Sequence, residues 1–156
     1  MNINEKSNLQ SNFRIMYRGL CQAVDDFLKN GYCTGDDLEE IEAYLVATIH
    51  ALMDYADRFF KDDDVILACR YVNNTMKHAR GFVTYKEMTG GLSFPYSFPF
   101  ECAEMKVIWK YNAELDCRYE NQKEAYKKCF AGKILIETLE PLAERIESGI
   151  ENKAYK

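Results

Sequence analysis

In the first half of the chain, apolar side chains recur every three or four residues, and the recurrence stops only where a helix has a reason to stop. Phe13, Met16, Tyr17, Leu20, Val24, Phe27 and Leu28 share one side of a helix expected from about Leu9 to Lys29. Asn30-Gly31 is its stop signal. Thr34, with Asp37 three residues on, offers a capping-box-like start to a second helix reaching about Phe60. Its stripe is Leu38, Ile41, Leu45, Ile49, Leu52, Ala56 and Phe59. The aspartates Asp62 to Asp64 break the pattern and restart it as a third helix, from about Asp63 to Arg80, closing on Gly81. Short connections make these three helices antiparallel neighbours.

The pattern then changes. From about Phe82 to Tyr111, β-branched and aromatic residues are punctuated by Gly90-Gly91, Pro95 and Pro99, with KVIWKY as the clearest strand. The segment LSFPYSFPF places Phe94, Tyr96, Phe98 and Phe100 on one alternating face, which suits a lid of aromatics over the bundle's end, a stacking surface for bases, or an exposed apolar patch. A last long helix carries Tyr126, Cys129, Phe130, Leu135, Leu139, Leu142, Ala143, Ile146 and Ile150, with a kink or break expected near Gly132 or Pro141. The segment Ala131 to Lys133 reads as a close helix crossing. The expected fold is therefore mainly α: a four-helix bundle with a small β-hairpin-like insert, residues 82–111, between the third and fourth helices of one domain spanning residues 1–156.

A chain of 156 residues with 47% hydrophobic and 29% charged residues can bury a core without staples. No apolar run reaches the roughly 20 residues needed to span a bilayer, and MNINEKSNLQ lacks an apolar leader, so the expected location is the cytoplasm. Six scattered cysteines and two histidines form no recognised zinc spacing, and reduced, mostly buried thiols are expected. No metal and no cofactor is expected; His50, Asp54 and Asp57 share a helix face but lack the Glu-x-x-His partner of a di-iron bundle. The net charge of −5 means that any nucleic-acid contact must rest on a local basic patch. The acidic stretches DDLEEIE (Asp36 to Glu42) and KDDDV (Lys61 to Val65) read as helix starts, where carboxylates meet the positive end of the dipole.

The third helix carries the main candidate site. Val65, Ala68, Cys69, Val72, Met76 and Ala79 share one side, and Arg70, Asn73, Asn74, Lys77 and His78 share the other. Arg70, Asn74 and His78 follow one another at one-turn intervals, so their side chains can converge on one ligand. Two adjacent asparagines in mid-helix cost stability unless their amides bond something specific, which a buried polar network would also supply.

The string CRYVNNTMKH resembles the arginine, asparagine and lysine-histidine helix of small all-α bacterial and phage proteins of the HEPN superfamily. That resemblance implies a homodimer and metal-independent RNA cleavage, as in toxins and phage-defence proteins, with Arg70, Asn74 and His78 as catalytic residues. His78 would exchange a proton with the ribose 2′-hydroxyl or the leaving oxygen, Arg70 would hold the scissile phosphate, and Asn74 would orient either. Asn73, Lys77 and Arg80 would bind the RNA. The other function class is a non-catalytic, acidic protein-interaction factor from a mobile element, such as an inhibitor, antitoxin or anti-defence protein. Composition favours the interaction factor, and the motif favours the RNA-directed protein.

Overall fold

The computed structural model describes residues 3–30, 35–77, 81–89, 103–111 and 119–149. In chain order these form α1 (Ile3–Asn30), α2 (Gly35–Phe59), α3 (Asp64–Met76), β1 (Val83–Thr89), β2 (Ala103–Trp109), α4 (Glu120–Cys129) and α5 (Leu135–Glu147). The fold is mainly α with one antiparallel hairpin, in register from Val83 opposite Trp109 to Thr89 opposite Ala103. Thr34, Cys33, Cys102, Cys117, Ile150, the aromatic segment Phe94 to Phe100, and His78, Ala79 and Arg80 lie outside the described residues.

The helical stripes face the core as the spacing requires. Phe13, Leu20, Val24 and Phe27 of α1, and Ile41, Leu45, Ile49, Leu52, Ala56 and Phe59 of α2, are buried. Helix α1 starts well before its apolar stripe because its first turns bind α5. Lys6 Nζ donates to Gly149 O at 3.2 Å, and Gln10 Nε2 donates to Ile146 O at 2.6 Å. Both donate to carbonyls at and just after the last turn of α5, where helical pairing runs out; Ile146 O also accepts from Gly149 N at 3.2 Å.

An aromatic cluster joins the hairpin to the helices. The single tryptophan, Trp109, is fully buried and stacks on Phe130 with ring centroids 4.6 Å apart and planes at 7°. Tyr126 meets Trp109, Phe82 and Tyr71 at 6.1, 5.9 and 5.1 Å, so one ring of α4 touches β2, the start of β1 and α3. The polar tips are satisfied: Trp109 Nε1 donates to Thr138 Oγ1 at 2.7 Å, and Tyr126 Oη donates to Lys110 O at 2.8 Å.

The expected fourth helix is two helices, α4 and α5, making five in all among the described residues. The break falls at Gly132, whose φ of +73° lies in the left-handed region that favours glycine. Residues 131–133 are not a helix crossing. They run along the free edge of β2, where Gly132 N donates to Trp109 O at 2.9 Å and Trp109 N donates to Lys133 O at 3.0 Å. Pro141 stays inside α5. Both it and Glu137, whose carbonyl loses its helical donor, are exposed, so water can replace the missing N–H.

Candidate functional site

The run Asp62 to Asp64 at the corner between α2 and α3 starts a helix, as its composition suggests, and it also ties three helices together. Asp63 caps α3: its Oδ1 accepts from Ile66 N at 2.9 Å. Its Oδ2 accepts from Arg145 Nη1 of α5 at 2.9 Å. Asp62 accepts from Arg70 of α3, and Asp64 pairs with Lys128 of α4. Consecutive carboxylates thus collect a cation from each of three helices.

This corner decides what Arg70 does. Its Nη1 lies 2.6 Å from Asp57 Oδ1 of α2, while Nε and Nη2 reach Asp62 Oδ1 at 3.0 and 2.9 Å. Burial lowers the guanidinium's pKa, but the hydrogen bonds to Asp62 and Asp57 outweigh it and leave the pKa raised. The group is held charged by two carboxylates of its own chain, with its side chain 27% exposed. Sequence spacing gave no sign of Asp57, which lies on another helix, or of Asp62, which precedes α3.

The remaining candidates are drawn elsewhere. Asn74 Nδ2 donates to Gln122 Oε1 of α4 at 3.2 Å, and Gln122 is itself buried. Asn73 is partly buried, and its Oδ1 has no hydrogen bond among the described residues. Lys77 is the exposed C-cap of α3. Arg70 and Asn74 are one turn apart, as the spacing predicts, but one is held at the α2–α3 corner and the other on α4. His78 and Arg80 lie outside the described residues, so the expected trio has two described members with separate partners.

Helix α3 is also covered more widely than its apolar stripe implies. Ala68, Cys69, Val72 and Met76 are buried and Val65 packs partly against the core, as expected, but Ile66, Tyr71 and Thr75 are buried as well. Tyr71 is fully buried because Tyr126 of α4 packs on it. Asp57, one of the three residues that share a face on α2, is committed to Arg70. Among the described residues no group of three His, Cys, Asp or Glu side chains is placed to hold a metal.

Sequence reasoning missed Glu42. It closes the acidic stretch read as a helix start, yet it is only 7% exposed. Its Oε1 accepts from Val83 N at 2.8 Å, so it pins the start of β1 to α2, while Oε2 is buried with no partner among the described residues. The only available signal was its place one residue after Ile41, beside the buried stripe.

A different surface lies between α1 and α2, where Ile15 is 60% and Tyr44 37% exposed along a groove also lined by Arg18, Asp26 and Glu40. No described helix is long and apolar enough to cross a membrane. Compared with known proteins, the chain matches no family model, no curated protein and no solved structure.

Proposed function

We propose that this protein acts by binding another protein and does not cleave RNA. The observation that carries the reading is the pairing of Arg70 with both Asp57 and Asp62. A guanidinium that must accept a scissile phosphate would have to give up two charge-assisted contacts, with two carboxylates left beside the incoming anion. The net charge of −5 works against a polyanion in the same direction.

The surface suited to a protein partner is the α1–α2 groove. Ile15 and Tyr44 supply exposed apolar area, and Asp26 and Glu40 outnumber the lone cation in its lining, Arg18. This favours a basic, amphipathic segment of a partner protein.

The test has two arms. Wild-type protein is incubated with single-stranded RNA in chelator, and a leucine–lysine amphipathic peptide is titrated beside its leucine–glutamate counterpart. No cleavage, with binding of the basic peptide that is lost in Ile15→Asp and weakened in Glu40→Lys, supports the proposal. Metal-independent cleavage abolished by Arg70→Ala at an unchanged melting temperature overturns it in favour of the RNA-directed reading. Equal binding of both peptides, or a dimer of this chain that Ile15→Asp dissociates, removes the basic partner from the groove.

A further inference from the structure

The geometry points to a second, unrelated site: a cavity between α2 and the base of the hairpin that fits a small zwitterion carrying an ammonium and a carboxylate on a short aliphatic chain. The cavity has a volume of about 270 Å³ and is lined by Leu38, Glu39, Glu42, Gly81, Val83 and Lys110. Glu42 and Lys110 place opposite charges on it, and no ion pair joins them or engages the Lys110 ammonium among the described residues.

Glu42 is the feature that asks for a ligand. It is more than nine-tenths buried, and only one of its oxygens is bonded, to Val83 N. A buried carboxylate oxygen without a donor is costly, and native structures leave few such groups unsatisfied. A ligand ammonium entering beside Glu42 supplies the missing donor after a small rotation of the carboxylate about its own side chain. The exposed Glu39 adds negative charge at the same wall.

Lys110 supplies the other end. Its backbone is fixed, since its N–H donates to Phe82 O at 2.8 Å and its carbonyl accepts from Tyr126 Oη. Its ammonium rests against Gly81, whose φ of +105° excludes most other residues and whose missing Cβ would stand 3.0 Å from Nζ. The ammonium thus lies at the cavity, available to a carboxylate. Leu38 gives an apolar wall for methylenes. The volume falls just below the usual range for drug-sized ligands, about 300–1,000 Å³, so a molecule of amino-acid size fits.

The site is tested by calorimetric titration of the full chain with glycine, β-alanine, γ-aminobutyrate, δ-aminovalerate and ε-aminocaproate, with butylamine and butyrate as single-charge controls. One chain length should bind about tenfold or more tighter than either control, and Glu42→Gln and Lys110→Met should each weaken it about tenfold. Glu42→Gln keeps an acceptor for Val83 N, so the fold is retained and checked by circular dichroism; Lys110→Met changes only a partly exposed head group. No binding by any member of the series overturns the inference, as does binding that survives both substitutions. So does a melting temperature lowered by Lys110→Met without any ligand effect, which would mean that Lys110 itself closes on Glu42.

Discussion

Asp63 Oδ2 lies 2.9 Å from Arg145 Nη1, joining the start of α3 to α5 across 82 residues of sequence. The same guanidinium sits 4.3 Å from the centre of the Phe60 ring, two residues before the acidic run. Asp63 therefore serves two roles with its two oxygens, as cap and as ion-pair partner. Arg145 gains a cation–π contact from the residue that follows α2. Exposed ion pairs in general contribute little, but here the carboxylate also satisfies a helix N–H and its partner is three-quarters buried.

Asp63→Ala should thus cost about 2 kcal/mol, combining loss of the cap with loss of the Arg145 contact. Asp63→Asn keeps a capping oxygen and should cost less. Asp64→Ala, whose partner Lys128 is exposed, should leave the melting temperature nearly unchanged. Chemical denaturation of the three variants checks the ranking, and equal losses in all three would show that the corner acts only through net charge.

The Asn74–Gln122 bond predicts a coupled pair. Removing either partner leaves a partly buried amide without its mate, for about 1–2 kcal/mol, whereas removing both should cost clearly less than the sum of the single losses. A double-mutant cycle on unfolding free energies measures this. Additive losses would place both amides in water.

These two interactions mark where the sequence stops being readable. The apolar stripes of α1 and α2, the Asp63 restart and the KVIWKY strand depend on neighbours within a few residues, and each was visible as periodicity or as a cap. Arg70, Asn74 and Arg145 find their partners across element boundaries, where no local spacing carries information. Tyr71 was hidden for the same reason: its burial depends on Tyr126 of α4, not on its position beside the apolar stripe. Gly132 was legible as a point of weakness, but the pairing with β2 that turns it into a chain break was not.

Gly132→Ala should destabilise the protein by about 1–2 kcal/mol. The new Cβ meets a φ of +73° that side chains disfavour, and it would also collide with the Tyr111 ring. Tyr111 is 62% exposed, so its ring can swing aside. Tyr111→Ala should therefore recover only the steric part of the loss, leaving the backbone strain. Full recovery in the double variant would show that the positive φ costs nothing.

The buried thiol and phenols predict a loss of stability in alkali. Burial is the main cause raising the Cys69 thiol well above its ordinary 9.0 and the Tyr126 phenol well above 10.0, and it raises Tyr17 likewise. In the folded state each group keeps its proton, while the unfolded chain releases it at the ordinary value, so above that value the folded state binds more protons. The stabilisation is complete below about pH 9 and is lost as pH rises, first through the Cys69 thiol and from about pH 10 through the tyrosines as well. Cys69 and Tyr126 each add a slope of about 1.4 kcal/mol per pH unit within their windows, and the half-buried Tyr17 adds less. Urea unfolding followed by Trp109 fluorescence across about pH 7 to 10.5 measures the slope. Cys69→Ala should lower stability at neutral pH yet flatten the fall just above pH 9 by about one proton. A stability that stays level through that window in the wild-type chain would mean that Cys69 is open to solvent.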